Sequence, residues 1–504
     1  MYYWRTHLAT VLAVAVAAAV LTGALVVGDS MRAGLGEKAL RRLGPVDHAL
    51  VARRFFTAAL ADRIAADPQF AHAGMARLCP CILLPGSAHN PATRDRATRV
   101  SILGVDERFA QLGPQWSAAM SVPRDRQVVI NAALAEHLHA RVGDDVLLRL
   151  SHQDAISAET LLGRRNTQLT TLRVTVAAVV AGDGPARFSL DPSRPEPLNA
   201  YVALPTLQRS IKQPDRVNAI LVAASQQAST LQTLLDRHTN LADLGVTLAD
   251  NSLKSEGLLL APSIEAAAMK SADRAGLSAV RVLTYLANSI AVVQRSPTSS
   301  PATSSAADNE IPYSIVAAVD PAAVTRIEPL VDERGETVAG LTDDEILLNP
   351  WAAEQMHAKA GDCIRLTYYV SQQFGELATE SATFRVRGII RMQGLAAKRG
   401  LVPPYPGLTD SKRISDWAPP FPVELKRIRP QDEAYWDQYG PTPKAFISLK
   451  AGQALWTRTT AQHGQVTSIE LYPRSPHKQA DQAAIDVVGF QRELREQFPA
   501  AGAG

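Results

Sequence analysis

The sequence predicts an α+β protein that one N-terminal helix holds in a membrane, and three observations support this fold class. The first is an uncharged stretch over residues 8–27. The second is a set of short sequence units that recurs, in the same order, in two halves of the remaining chain. The third is the alternation of strand-like and helix-like segments throughout that remainder. We therefore expect one transmembrane helix followed by a duplicated α+β ectodomain.

Residues 8–27 have the length and composition of a membrane-spanning helix. They contain ten Leu or Val and seven Ala, interrupted only by Thr10, Thr22 and Gly23. At a rise of 1.5 Å per residue such a helix extends about 30 Å, the thickness of the hydrocarbon core of a bilayer. The apolar region of a cleaved signal peptide is usually shorter, about 7 to 15 residues. A retained anchor is the prediction, and a cleaved signal or a buried soluble helix is the alternative.

The charges that flank this span do not decide its orientation. Only Arg5 precedes it, while Arg32, Lys38 and two further arginines follow it. This is the reverse of the usual excess of positive charge on the cytoplasmic side, although long domains cross a membrane largely regardless of charge. We expect residues 1–7 to be cytoplasmic and the bulk of the chain to be periplasmic or otherwise extracytoplasmic.

The composition excludes several classes of protein. Of 504 residues, 46% are hydrophobic and 20% are charged, which fits neither a disordered chain nor a multispan transporter. The net charge of +3 arises from scattered Lys and Arg, so nucleic acid is not an expected partner. The three cysteines are too few for a disulfide scaffold. Residues 276–293 are apolar but contain Arg281, and we expect them to form a strand.

An internal repeat organises the soluble part. In the first copy, Asn131 ends a strand and precedes a helix, and Gly143-Asp144 leads into the next strand. In the second copy Asn349 and Gly361-Asp362 occupy the same places at a constant offset of 218. Asn is a favoured N-cap residue, and Gly supplies the backbone freedom that the turn needs. Neighbouring pieces recur in the same order: 101–106 with 314–320, 174–180 with 384–390, 200–204 with 445–449, and 217–222 with 466–471.

The segment after the span is expected to continue the membrane helix as a stalk. Apolar residues recur about every fourth position up to Gly44-Pro45, which predicts the end of the helix. Residues 47–51 are typical of a strand, and residues 55–66 are typical of an amphipathic helix. The expected organisation is a cytoplasmic N-terminus (1–7), a transmembrane helix (8–27), a stalk with the segment after it (28–66), a first module with inter-module helices and strands (67–293), a disordered linker (294–311), a second module (312–475), and a C-terminal helix with a tail (476–504).

The second module contains about 35 residues that the first lacks, within an insert over residues 393–442. Because it is rich in Pro, this insert is not expected to form a central strand. One interpretation is an ordered loop that presents aromatic side chains to a partner or ligand. The other is a cover packed over the module's own core. The aromatic residues concerned are Tyr405, Trp417, Phe421, Tyr435 and Trp436.

The chain lacks the motifs of several kinds of catalytic site. It has no phosphate-binding Gly-x-x-x-x-Gly-Lys-Ser/Thr loop, no His-Glu-x-x-His zinc motif and no Gly-x-Ser-x-Gly elbow. We therefore predict no catalytic residue, no cofactor and no metal ligand in this chain. An envelope hydrolase is the least favoured function, because it would need acid, base or nucleophile side chains clustered in one cleft.

Four short motifs are similar to those of one family. They are residues 21–32 at the membrane exit, Leu103-Gly-Val-Asp106, Ile130-Asn131 with Val142-Gly-Asp144, and Ile390 preceded by Val386 and Gly388. With the span before them, they resemble the MacB-like periplasmic core domain of FtsX-like ABC-transporter permeases. The resemblance extends over nearly the whole chain.

The resemblance implies a permease that has one span before the ectodomain and three after it, and that works as a dimer with a separate cytosolic ATPase. ATP would be bound by that ATPase, and its motion would reach the ectodomain through the stalks. The sequence departs from this pattern by stopping at Gly504, where the later spans are expected. This departure implies a truncated or split permease, or an anchored ectodomain that serves another subunit.

The predicted function is a non-catalytic, membrane-anchored, extracytoplasmic part of an FtsX/MacB-type permease in the inner membrane. It would provide substrate or partner contact and mechanical coupling. Its expected partners are the membrane, a cytosolic ABC ATPase, and a multispan permease subunit or a second copy. The alternative is a stand-alone membrane-anchored protein of the cell envelope that acts in binding or as a scaffold.

Overall fold

The computed structural model describes residues 3–71, 77–114, 116, 120–152, 168–182, 184–191, 196–223, 228–294, 309–371, 377–405, 407–409, 411–417, 421–457, 464–474 and 487–497. The chain forms two compact units. The first unit comprises residues 1–52, 61–152 and 169–228, and the second comprises residues 53–60, 153–168 and 229–504. Most of the expected linker, residues 295–308, and residues 475–486 and 498–504 of the expected tail lie outside the described residues.

The described part of the chain alternates helices and strands. The helices are α1 Trp4–Leu43, α2 Ala59–Ala65, α3 Pro68–Ala71, α4 Glu107–Gln111, α5 Ala132–Leu138, α6 Leu204–Ser210, α7 Ala228–His238, α8 Pro262–Arg274, α9 Pro321–Ile327, α10 Pro350–Met356, α11 Pro430–Tyr439, α12 Leu449–Trp456 and α13 Val487–Glu496. The strands are β1 His48–Thr57, β2 Arg77–His89, β3 Arg96–Val105, β4 Gln127–Asn131, β5 Asp145–His152, β6 Gln168–Val180, β7 Asn199–Ala203, β8 Arg216–Ala223, β9 Val246–Ala249, β10 Ser252–Ser255, β11 Leu277–Gln294, β12 Glu310–Val319, β13 Glu345–Leu348, β14 Cys363–Ser371, β15 Leu377–Ile389, β16 Ala445–Ser448 and β17 Ser468–Pro473.

Helix α1 joins the predicted span and the predicted stalk into one helix of 40 residues. At 1.5 Å per residue it is about 60 Å long, roughly twice the hydrocarbon thickness of a bilayer. Within it, His7–Gly34 is long and apolar enough to cross a membrane, and the most apolar part of this range is entirely exposed. The apolar stretch is therefore not a buried core helix of this chain.

The sheet of the first unit has the order β1-β8-β2-β3-β7-β4-β6-β5, and β2 also pairs with β5. This extra pairing closes six strands, β2, β3, β7, β4, β6 and β5, into a ring. Two pairs in the ring are parallel, β3 with β7 and β4 with β6. Strand β8 lies outside the ring, antiparallel to β2.

The sheet of the second unit has the order β12-β16-β13-β15-β14-β11-β17-β10-β9, and β11 also pairs with β12. This pairing closes a ring of β11, β12, β16, β13, β15 and β14, with the parallel pairs in the corresponding places. Strand β17 lies antiparallel to β11, as β8 does to β2. Even the irregularities agree, because the register shifts between Val128 and Val129 in β4 and between Ile346 and Leu347 in β13. The structure thus confirms the duplicated α+β fold.

The structure differs from the expected organisation in two places. Residues 229–293, expected with the first module, lie in the second unit, because β11 pairs with β12, β14 and β17 there. Residues 55–57, expected in a helix, continue β1, and helix α2 begins only at Ala59. Phe55 and Phe56 are both buried, which a strand covered on two faces accommodates. The spacing of Phe56, Leu60 and Ile64 imitates the apolar face of a helix.

Candidate functional site: the junction at the end of the membrane helix

Helix α1 ends at Gly44, in a backbone conformation that suits glycine. Gly44 has φ 60° and ψ −124°, and its N–H donates to the carbonyl of Leu40. A β-carbon at this position would lie 2.9 Å from both Cζ2 and Nε1 of Trp116. An L side chain would therefore be strained by its backbone and would also collide with the indole ring. The C-terminal end of the membrane helix thus lies against the indole of Trp116.

The residues after Gly44 extend this close packing into the first unit. Pro45 lies on the backbone of Gly113, where a β-carbon would be 3.0 Å from the proline ring. Val46 is 4% exposed and belongs to the same apolar cluster as Trp116. The N–H of Asp47 donates to the carbonyl of Val222 at 2.9 Å, and the chain then enters β1. Residues 44–47 therefore join the helix to the sheet, and each of them contacts the first unit by packing or by a backbone hydrogen bond.

An aromatic cluster forms the base of this junction. Trp116 is 1% exposed, and its ring centroid lies 4.7 Å from that of Phe109 and 5.4 Å from that of Phe188. Phe109 also packs against Tyr201, with 5.4 Å between centroids. Such ring pairs stabilise by about 0.5–1.5 kcal/mol each beyond the area that they bury. The support under α1 is therefore rigid and apolar.

Buried hydrogen bonds fix a second segment that packs against Trp116, the turn of residues 184–187. This turn, Gly184–Arg187, contacts α1, and a β-carbon at Gly184 would lie 3.4 Å from the indole. Asn131 Nδ2 donates to the carbonyls of Ala186 and Pro197, while its Oδ1 accepts from the N–H groups of Leu134 and Asn199. Asn131 therefore caps helix α5 and holds the turn beneath the membrane helix.

Two more buried residues complete the support of the turn. Asn199 Nδ2 donates to the carbonyl of Phe188 at 2.8 Å, and the Tyr201 hydroxyl donates to the carbonyl of Pro185. Burial raises the pKa of the Tyr201 hydroxyl above its usual range, so it remains a donor at physiological pH. The turn is therefore held by side chains from β4 and β7 of the ring.

The predicted repeat positions occupy equivalent structural places in the two units. Asn349 caps α10 by accepting from the N–H of Ala352, as Asn131 does for Leu134. Gly143 and Gly361 have φ of 96° and 92°, and their N–H groups donate to the carbonyls of Val176 and Val386. Asp144 and Asp362 each accept from a backbone N–H three residues earlier, at 2.8 and 2.9 Å. These contacts give the six residues structural roles in the two sheets.

The structure buries the five aromatic residues of the insert that the sequence offered for partner contact. Tyr405 is 2% exposed, Trp417, Phe421 and Tyr435 are 3–5% exposed, and Trp436 is 9% exposed. Trp417 packs edge-on against Trp436 at 5.1 Å between centroids, and both belong to a cluster with Leu286 and Ile315 of the sheet. Their rings are therefore core side chains, which favours the interpretation of the insert as a cover.

A buried lysine lies beneath one end of this cover. Lys444 is 4% exposed, and its Nζ lies 4.5 Å from the ring centroid of Trp351 and 5.0 Å from that of Tyr435. Burial lowers the pKa of Lys444 to about 8, although Asp432 acts in the opposite direction. Two aromatic faces thus hold an ammonium group at a cost in desolvation.

The sequence predicted Gly44 and Pro45 only as the end of the helix. Nothing in the sequence pairs these two residues with Gly113 or Trp116. Among the described residues, no group of three or more His, Cys, Asp or Glu side chains is placed to hold a metal ion.

Comparison with known proteins shows a similarity that covers the first part of the chain. Residues 8–241 match the family model described as the MacB-like periplasmic core domain. Among solved structures, the extracellular domain of the noncanonic ABC-type transporter YknZ from Gram-positive bacteria is 10% identical; the match covers 38% of this chain and 89% of that chain, with a TM-score of 0.24. The periplasmic region of MacB from Actinobacillus actinomycetemcomitans is 12% identical; that match covers 40% of this chain and 86% of the other, also with a TM-score of 0.24. No curated protein matches the chain. Over residues 8–241, somewhat less than half of its length, this chain is similar to the MacB-like periplasmic core domain.

Proposed function

We propose that this protein is the membrane-anchored, extracytoplasmic part of an FtsX/MacB-type ABC permease in the inner membrane, and that it transmits motion from the membrane to its first unit. The observation that carries the proposal is the continuity of α1 from Trp4 to Leu43 and its direct seating on Trp116. A single helix without a break moves as one rod, so displacement at its membrane end reaches its far end.

The length of α1 supports this role. After Gly28, fifteen residues of the helix remain up to Leu43, and at 1.5 Å per residue they extend about 22 Å beyond the apolar span. Ion pairs within the helix, such as that between Arg41 and Glu37 at 2.7 Å, lie in this part. They stabilise an exposed helix modestly. The polar extension therefore forms a stalk that ends in the packed junction.

The proposal assigns no catalysis to this chain. ATP would be bound by a separate cytosolic ABC ATPase, and the spans needed for that contact would come from a multispan subunit or from a second copy. The ectodomain would supply substrate or partner contact and mechanical coupling. A stand-alone binding protein of the envelope is less well supported, because the aromatic residues that it would use are buried.

The proposal is tested by making the junction flexible while every side chain is kept. Two glycines are inserted after Gly44 of the full chain in its native host, and the tagged protein is purified from membranes after mild crosslinking. We expect wild type and variant to bring down the same ABC ATPase and multispan subunit. We expect only the wild type to restore the growth or export phenotype of a deletion strain.

A matched control separates coupling from general damage. The same two glycines are inserted after Asp125, an exposed turn residue of the first unit that already has a positive φ of 46°. This control should retain both assembly and phenotype. A junction insertion that works as well as wild type would contradict transmission through α1, and a preparation without any ATPase would contradict membership of a permease complex.

A further inference from the structure

The duplicated fold allows one face of the first unit to be compared with its counterpart in the second. Val105 of β3 pairs with Ala203, and Val319 of β12 pairs with Ser448 in the same parallel arrangement. At the same offset of 214 lie Arg99 and Tyr313, which both have positive φ, 58° and 43°. The outer faces of β3 and β12 can therefore be aligned residue by residue.

In the second unit the insert covers this face. Tyr313 and Ile315 of β12 are buried in one cluster with Phe421 and Trp417 of the insert. The Tyr313 hydroxyl accepts from the N–H of Glu424 at 2.6 Å. The described residues of this cover form no strand, and they meet the sheet through side chains and through the N–H of Glu424.

One arginine of the insert makes the charged contact of this cover. Arg427 forms an ion pair with Glu310 at 2.7 Å and lies 5.8 Å from the ring centroid of Tyr313. Both groups of the ion pair are about one-third exposed, at 35% and 36%. The contact therefore lies at the rim of the covered face, where charge decides specificity more than affinity.

In the first unit the same face is polar, and its charge is reversed. Arg96 stands at the position of Glu310, Arg99 at that of Tyr313, and Ser101 at that of Ile315. Arg96, Arg99 and Arg149 are exposed, and Arg149 lies on β5 beside Ser87 of β2. Neither Arg96 nor Arg149 forms an ion pair within the part of the chain that the structure describes. Arg96 of the first unit thus stands where Glu310 of the second unit binds Arg427.

We propose that this basic face of the first unit, formed by Arg96, Arg99, Ser101 and Arg149, binds an acidic extended segment of a partner protein. The segment would take the position that residues 421–428 of the insert take on the second unit, with a carboxylate where the insert carries Arg427. Because Ser101 replaces the apolar Ile315, the contact is mainly electrostatic and reversible. The four residues lie outside the apolar cluster of the junction, which contains Leu103 and Val105 further along β3, and the proposal does not require that the junction transmit motion.

A charge-swapped peptide tests the proposal. The probe is a fluorescent peptide of residues 421–428 that carries Arg427→Glu. The control is the same peptide with Arg427 unchanged. Binding to the full chain in detergent is followed by anisotropy. We expect the swapped peptide to bind about tenfold more tightly than the unchanged one, equivalent to about 1.4 kcal/mol. Added salt should weaken its binding.

A reciprocal substitution in the protein makes the test specific. Arg96→Glu should reverse the preference, so that the unchanged peptide binds better, whereas Arg124→Glu, at an exposed arginine elsewhere in the first unit, should leave the preference as in wild type. Equal binding of both peptides, no binding up to about millimolar peptide, or a preference that Arg96→Glu does not alter would each overturn the proposal. So would anionic lipid vesicles that displace the swapped peptide at equal charge concentration, because the face would then be a lipid-binding surface.

Discussion

Leu207 of α6 packs directly on the backbone of Gly104 in β3, so that a β-carbon at residue 104 would lie 2.7 Å from Leu207 Cδ2. In the second unit the sizes are reversed, because Gly452 of α12 lies on the β-carbon of Ala318 in β12. Leu207 and Gly452 correspond at the offset of 245, and Gly104 and Ala318 correspond at that of 214. In both units the helix after β7 or β16 packs closely on the ring. The glycine that allows this lies on the strand in the first unit and on the helix in the second.

This reversal predicts a compensating pair of substitutions in the first unit. Gly104→Ala should destabilise it by about 1–3 kcal/mol, because the added carbon overpacks a full interface. The double variant Gly104→Ala/Leu207→Ala should lose less unfolding free energy than the two single variants lose together. The difference should be at least about 0.5 kcal/mol. The measurement is amide hydrogen exchange in β3 and α6, which reports local stability.

The control for this cycle is Gly388→Ala in β15, where the nearest side-chain atom would lie at an ordinary 3.9 Å from the new β-carbon. It should change stability much less than Gly104→Ala. Strict additivity of the two substitutions in the first unit would show that Leu207 and Gly104 are not coupled.

A second prediction concerns the seat of the membrane helix. Gly44→Ala should destabilise the junction, both through its backbone conformation and through the collision with Trp116. Gly440→Ala is the matched control, because Gly440 has nearly the same conformation, φ 63° and ψ −148°, and its new β-carbon would be 3.6 Å from the nearest atom. Urea unfolding in detergent should show a loss about 1–2 kcal/mol larger for Gly44→Ala. Equal losses of unfolding free energy in the two variants would show that the Trp116 indole moves aside at little cost.

A third prediction concerns Lys444 and pH. The pKa of Lys444 is about 8 in the folded protein, below about 10.4 in the unfolded chain. Between these values the unfolded state binds more protons, so the lysine makes folding more favourable as pH rises from about 8 to about 10. Lys444→Met should abolish this gain, which is about 2–3 kcal/mol for a shift of this size.

The readout for Lys444 is the difference in unfolding free energy between wild type and variant across that pH range. Tyrosines and cysteines titrate in both proteins, so their contribution cancels in the difference. For Lys426→Met, at an exposed lysine of the insert, the difference in unfolding free energy from wild type should not change with pH. A flat difference for Lys444→Met as well would contradict a buried ammonium at this position.

A fourth prediction separates the two interpretations of the insert. Trp417→Ala and Trp436→Ala should each destabilise the second unit by about 3–5 kcal/mol, because both rings are buried in its core. Limited proteolysis should then cut within residues 393–442. Leu425→Ala, at a residue that is 42% exposed, should change stability by no more than about 0.5 kcal/mol. A Trp417 variant with unchanged stability would support a binding loop instead.

Local chemistry explains why part of the fold was predictable. An uncharged stretch with the length of a bilayer, followed by apolar residues at helical spacing and by Gly44-Pro45, predicts one helix and its end, and the structure confirms both. Asn131 and Asn349 were predictable as caps because capping depends on the next three residues only. Residues 55–57 were not, since the spacing of two buried phenylalanines fits a helix as well as a strand covered on both faces.

The sequence by itself determined the long apolar helix, the duplication and the resemblance to one family, because these depend on composition, periodicity and order along the chain. Only the tertiary structure decided that Gly44 meets Trp116, that β11 belongs to the second ring, and that the insert's aromatic residues lie inside. Each of these is a pairing between residues far apart in the chain. The balance of shape, burial and desolvation that selects such pairings exists only once both partners are brought together.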